Sequence, residues 1–228
     1  MKKIIAFLLV AMLIIPTFVV GENGENFDNT VTRAEFARIV AGLLGLSEII
    51  RQAETLFVDV PIEHWASGYI ASATVLGGYG RDGGGRGIVR GDGNSRFRPD
   101  DAILVEEAIA MLVRALGYAI MVNFFGGFPD GYAFAAERSG LTENIEFEFG
   151  EYATSELIYK LVNHALDTPL MMLIVPWPIL PHNFAIMDGL DDRPLMTLRT
   201  HHWDNASVYF DGWDFVILDE EYETEEQE

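Results

Sequence analysis

The 228-residue chain contains no cysteine, which removes disulfides, thiolate nucleophiles, zinc fingers and iron–sulfur clusters together. Basic residues are scarce: 15 Lys+Arg stand against 35 Asp+Glu, a formal charge of −20. Duplex nucleic acid is bound by neutralising phosphates with basic side chains, so this balance argues against such a partner. Enzyme signatures are also missing. The sequence has no Gly-x-Ser-x-Gly elbow, no Gly-x-x-x-x-Gly-Lys-Ser/Thr loop and no His-Glu-x-x-His helix. Its many carboxylates single out no pair for glycoside hydrolysis. The expectation is a non-catalytic protein with no cofactor and no metal. What the chain does have is apolar matter: half its residues are hydrophobic and 12% aromatic, enough to bury a core and unlike a disordered chain.

The first segment bears on compartment. Met1-Lys2-Lys3 leads into the apolar run Ile4 to Ile15 and then Pro16, the layout of a secretory signal peptide. The run is short for a permanent membrane span, so residues 1–21 read as a signal cleaved after Gly21, leaving no permanent span. An exported chain without cysteine suits an envelope whose exterior lacks a disulfide-forming compartment.

Internal repetition carries more information. Three fourteen-residue stretches, Val31 to Leu44, Ile103 to Leu116 and Ala153 to Leu166, align without gaps. Their apolar residues recur at helical spacing: Phe36, Ile39, Val40, Leu43; Ala108, Met111, Leu112, Ala115; Ile158, Leu161, Val162, Ala165. Each stripe predicts one helix with a buried face, and three stripes facing one another would share a core. A second element repeats, Gly68 to Gly77 and Gly131 to Gly140, both read as short helices ending at a glycine. The connection that follows Gly77 is lengthened by the glycine-rich stretch 79–94.

The run Phe57-Val-Asp-Val-Pro-Ile-Glu-His-Trp-Ala66, the loop Gly91-Asp-Gly-Asn-Ser-Arg-Phe-Arg-Pro-Asp100 and the helix start Thr32-Arg33-Ala34-Glu35-Phe36 resemble, in turn, the opening, middle loop and second helix of an S-layer homology (SLH) repeat. Gly127-Phe-Pro-Asp-Gly-Tyr132 and Ala165-Leu-Asp-Thr-Pro-Leu170 resemble the third repeat of such triplets in exported clostridial-type proteins. The resemblance implies a mainly α fold: three helical repeats in a pseudo-threefold arrangement, with a short C-terminal β-containing segment. Residues 28–47 would be the second half of repeat 1, 57–118 repeat 2, and 127–170 a degenerate repeat 3. It further implies a secreted protein of the bacterial cell wall or S-layer. Such triplets dock without covalent attachment to secondary cell-wall polysaccharide, often pyruvylated, with other surface-layer proteins as further partners. The motif arginine would meet the ligand carboxylate in a groove between repeats, and a planar guanidinium grips a carboxylate with two parallel hydrogen bonds. Only Arg33 retains that arginine; Val105 and Ser155 occupy the aligned positions. An alternative is a structural element of a surface assembly with little glycan binding.

The candidate polymer contacts are Arg33, Trp65, Arg96, Arg98, Asp92 and Gly93. Thr32 and Glu35 also form a capping-box pattern, a purely structural role, while Arg33 at a helix start is placed for an anion. Trp65 is open to two roles, a stacking face for a sugar or a core anchor. Arg81, Arg86, Arg90, Arg96 and Arg98 fall within eighteen positions, a local concentration of positive charge that suits an anionic partner. Asp92-Gly93-Asn94 resembles part of a calcium loop without its remaining ligands. Segments near 206–210 and 215–218 read as a hairpin within 171–218, and His201-His202 as surface residues. The acidic run 219–228 reads as a disordered tail.

Overall fold

A computed structural model describes residues 29–45, 51–75, 87–174, 183–186, 196–202, 208–210 and 215–217. The signal segment, Arg81, Arg86 and the acidic run lie outside the described residues. The three aligned stretches fold as α1 (Arg33–Leu43), α3 (Val105–Ala115) and α6 (Ser155–Asp167). The second repeating element folds as α2 (Ser67–Val75) and α5 (Asp130–Ser139), and α5 ends at Gly140 with φ +83°. Between α3 and α5 lies a short helix α4 (Ala119–Val122), followed by a 3-10 turn at Asn123–Phe125. Among the described residues the strands form two antiparallel ribbons, β1 (Met171–Ile174) with β2 (Asn183–Ile186) and β3 (Val208–Phe210) with β4 (Phe215–Ile217); α7 (Leu198–His202) lies between them in sequence. The described chain is mainly helical.

Each long helix starts with its own solution to the free N–H groups of a first turn. At α1 the Thr32 hydroxyl accepts from the Glu35 N–H, and the Glu35 carboxylate accepts from the Thr32 N–H at 2.7 Å, a complete capping box. At α6 the Thr154 hydroxyl accepts from the Leu157 N–H at 3.2 Å. At α3 the flanking residue is Leu104, which offers no side-chain acceptor; the Glu107 carboxylate receives the Leu104 N–H instead, at 3.2 Å.

Residues 31, 103 and 153 join the three helix starts. The Val31 N–H donates to the Ala153 carbonyl (3.2 Å), Ala153 to Ile103 (2.8 Å) and Ile103 to Val31 (2.9 Å), closing a ring of backbone hydrogen bonds. The side chains of Ile103 and Ala153 are fully buried, and Val31 is nearly so. Helix α3 packs against α1, α4, α5 and α6, and α1 also packs against α2. One core contains Phe36, Leu43, Phe97, Ile109, Leu112, Ile158 and Leu161.

Leu170, Met171, Leu198 and Phe210 of the C-terminal part share that core. Leu198 and Phe210 are fully buried within it. The Asn163 side chain on α6 donates to the Phe210 carbonyl and accepts from the Phe210 N–H, both at 2.9 Å, as a neighbouring strand would. Arg199 grips Asp167 with two hydrogen bonds of 2.6 and 2.8 Å.

Candidate functional site

Arg33 opens α1, and its side chain is 4% exposed. Burying a guanidinium is costly unless its donors are met. Here Nε donates to the Phe97 carbonyl (2.7 Å), Nη2 to the Arg90 carbonyl (3.0 Å), and Nη1 pairs with Glu107 Oε2 (2.7 Å). The guanidinium also lies 4.7 Å from the centre of the Phe97 ring, in cation–π range. Burial pulls the Arg33 pKa below its ordinary value, while the Glu107 carboxylate acts in the opposite sense. A guanidinium has five N–H donors; three are taken, leaving two for a further acceptor.

Glu107 is the hub of this arrangement. It caps the backbone at Leu104 and pairs with Arg33 through Oε2, and its Oε1 accepts from Arg98 Nη2 at 2.8 Å. Arg98 also lies 3.5 Å from Asp101. The loop that delivers Arg98 and the Phe97 carbonyl is held by Asp59, whose two oxygens accept the Phe97 and Arg98 N–H groups, both at 2.8 Å. Burial pushes the Asp59 carboxyl up, but these N–H donors, with Arg96 beside them, outweigh it and leave the pKa below the usual carboxylate value. At Gly91, a Cβ would run into the Arg96 carbonyl and the Phe57 ring, so only glycine fits there.

Arg114 stands two turns after Glu107 on α3. Its Nε donates to the Tyr132 hydroxyl (2.9 Å) and Nη1 to the Ile88 carbonyl (3.0 Å), with the guanidinium 4.7 Å from the Tyr132 ring centre. Arg33, Arg90 and Arg114 together line a cavity of about 320 Å³, with Gly91, Asp92, Glu107, Ala110, Met111 and Phe128 completing its wall. Three arginines and two acidic residues, Asp92 and Glu107, thus line one concavity, a net positive lining in a chain of −20. Such a site suits an anion, and its size suits a small organic group.

Of the residues singled out by sequence, Arg33, Arg90 and Asp92 line this cavity, and Arg98 pairs with Glu107 in its wall. Asp92 accepts from the Asn94 N–H, and the positive φ of Gly93 (+89°) lets the loop turn beside it. Arg96 is 61% exposed, 3.8 Å from Asp59. Trp65 is half-exposed, stacked on His64 and tilted against Tyr69, and is not part of this cavity wall. The residue that fills its place is Phe128: the repeated elements align Gly68 with Gly131, which puts Trp65 opposite Phe128 and Tyr69 opposite Tyr132. Sequence reasoning missed Glu107, Arg114 and Phe128. Glu107, Met111 and Arg114 lie at i, i+4, i+7, one face of α3, and two charged residues on that face were the available signal.

Among the described residues no cluster of His, Asp or Glu could hold a metal ion, and no helix is long and apolar enough to cross a membrane. No family model matches the chain. It is 28% identical over 158 residues to a cell surface protein of Thermoanaerobacter kivui, covering 68% of this chain and 19% of the relative. Over 184 residues it is 30% identical to a middle cell wall protein of Brevibacillus brevis, covering 79% of this chain and 16% of the relative. A surface layer protein of Brevibacillus choshinensis is 29% identical over 154 residues, 66% of this chain and 12% of the relative. The chain therefore spans less than a fifth of the length of these curated relatives. They are named as surface and wall proteins, none for an enzymatic activity, and they place this chain at the bacterial cell surface.

Proposed function

We propose that residues 28–170 are a pseudo-threefold triplet of S-layer homology type that holds the chain to an anionic secondary polysaccharide of the cell wall. The observation that carries this is the convergence of Arg33, Arg90 and Arg114 on one cavity beside the loop 91–98. The closed hydrogen-bond ring at 31, 103 and 153 supports the threefold arrangement. Arg33 offers two remaining donors to a ligand carboxylate, Arg90 and Arg114 supply further positive charge, and Glu107 keeps Arg33 fixed. Arg96, on the same loop, is an outer contact. Preorganised donors of this kind add affinity because little side-chain freedom is lost on binding.

The test is co-sedimentation of the full chain with Gram-positive sacculi that retain their wall polysaccharide, against the same sacculi stripped with hydrofluoric acid. Retention on the first and loss on the second is expected, with weakened retention for Arg114→Ala. Equal retention on both overturns polysaccharide binding. A second reading, a packing element in a surface assembly with little glycan binding, draws on Val105 and Ser155 standing where a ligand arginine would be expected. Equal retention together with self-association would favour it.

A further inference from the structure

Phe128, one of the residues that line the cavity, is 54% exposed. The preceding turn carries two more phenyl rings, Phe124 at 76% and Phe125 at 43% exposure. Three exposed phenyl rings within five positions are expensive to leave in water and mark a contact surface.

The turn is firmly held. Phe125 stacks on Phe134 of α5, with centroids 3.9 Å apart and an interplanar angle of 22°. The Gly127 N–H donates to the Val122 carbonyl at 3.0 Å, and a Cβ on Gly131 would collide with that same carbonyl. The backbone of α5 therefore packs directly onto the turn, and Gly131 is required for the approach.

Charge decides what the rings face. Residues 115–129 carry no ionisable acid or base apart from the Tyr118 phenol, in a chain of −20. An anionic polymer crossing residues 115–129 meets no charged side chain within that stretch, with the exposed Asp130 at its edge. The cavity volume of about 320 Å³ accommodates only a short piece of such a polymer, so the chain must cross a rim. The apolar C–H faces of pyranose rings pack against the electron-rich faces of aromatic rings.

Building on the reading of the cavity as a wall-polysaccharide site, we propose that Phe124, Phe125 and Phe128 form an aromatic ledge that binds uncharged pyranose rings of the same polymer, next to the acidic unit held by the arginines. The ledge adds affinity for a polymer and none for an isolated acidic monosaccharide.

The test uses the full chain and the double variant Phe124→Ala/Phe125→Ala with two probes, polysaccharide-bearing sacculi and sodium glucuronate. Glucuronate binding is followed through the arginine Nε–H NMR signals. The variant is expected to bind sacculi roughly tenfold more weakly, as two lost ring contacts imply, with unchanged glucuronate shifts. Phe124→Ala alone, at an open position, guards against a folding defect and is expected to lose about threefold. Unchanged sacculus binding by both variants overturns the ledge while leaving the cavity reading intact. Loss of self-association with unchanged sacculus binding also overturns it and marks the rings as a protein contact. A native chain that ignores sacculi and glucuronate alike overturns the cavity reading, and the ledge with it.

Discussion

Positions 33, 105 and 155 each lie two residues after a member of the hydrogen-bonded ring and each begin a long helix, yet they carry Arg, Val and Ser. The positions that follow the same register differ as sharply: Glu35, Glu107 and Leu157, then Gly42, Arg114 and His164. Arg33 meets Glu107 across the junction of α1 and α3. At the corresponding junction of α3 and α6, Val105 is buried and Leu157 packs against the core. One junction is built on charge and the other on hydrocarbon, with the same backbone frame beneath both. The ring and the apolar stripes recur at all three helix starts, whereas the charged contacts of Arg33 belong to one junction only.

The largest effect is expected from removing the charge at the hub of the α1–α3 junction. Glu107→Ala leaves Arg33 buried without a counter-ion, and losing one member of a buried pair costs about 3–5 kcal/mol. Urea unfolding measures it. Converting the charged junction into the apolar one, Arg33→Val with Glu107→Leu, supplies the residues found at 105 and 157. Replacing a buried pair by hydrocarbon removes the uncompensated charge, but the Phe97 and Arg90 carbonyls, the Leu104 N–H and Arg98 each lose a partner. The double variant is therefore expected to be less stable than the native chain, more stable than Glu107→Ala, and without retention on polysaccharide-bearing sacculi. A double variant as unstable as Glu107→Ala would show that the junctions are not interchangeable.

The third long helix differs for another reason. Asn163 on α6 aligns with Ala41 and Val113, both buried. The amide is tolerated there because it meets the N–H and carbonyl of Phe210, so the C-terminal ribbon docks where the other helices present hydrocarbon. Asn163→Ala removes the two hydrogen bonds to Phe210 and a third to the Tyr159 carbonyl, and is expected to cost about 2 kcal/mol. Amide hydrogen exchange at Phe210 should accelerate while exchange in α1 and α3 stays as it was. Equal acceleration in all three helices would mean that the ribbon supports the entire frame.

Much of the frame was legible because helical periodicity is a local property: the stripe Ile158, Leu161, Val162, Ala165 specifies its own buried face. The capping box at Thr32 and Glu35 was legible on the same grounds. What escaped was long-range. Nothing near Glu107 in sequence says that its partner is Arg33, 74 positions earlier; the ring against Arg33 is Phe97, and the cavity wall is completed by Phe128, just before α5, and not by Trp65. The docking of Phe210 onto Asn163 was hidden for the same reason, since their pairing spans 47 positions.

Tyr118 offers a smaller effect with a pH signature. Just past α3, it donates its hydroxyl to the Pro169 carbonyl at 2.9 Å, tying the end of α3 to the chain after α6. Tyr118→Phe keeps the ring and loses that bond, a change of about 1 kcal/mol. Burial pushes the Tyr118 phenol up from 10.0 to about 12. The folded chain therefore holds this proton more tightly than the unfolded one. Its contribution is complete below the unfolded value and fades as pH rises toward the folded one. The native chain should lose stability across that alkaline interval, and Tyr118→Phe should lose less. Identical alkaline profiles would place the titrating group elsewhere.

The smallest expected effect concerns how the three helices begin. Thr154→Ala deletes an exposed cap that contributes one hydrogen bond, and about 0.5–1 kcal/mol should go with it. Thr32→Ala should cost more, since the Thr32 hydroxyl both accepts from the Glu35 N–H and donates to the Glu35 carboxylate. The third start has no hydroxyl, and its Leu104 N–H depends on Glu107, the carboxylate that also holds Arg33 and Arg98. Glu107→Gln keeps an acceptor for Leu104 while removing the charge, so thermal melts of Glu107→Gln and Glu107→Ala separate capping from ion pairing. A Gln variant as unstable as the Ala variant would assign the cost to charge alone, and one restored by about 1 kcal/mol would assign that share to the cap.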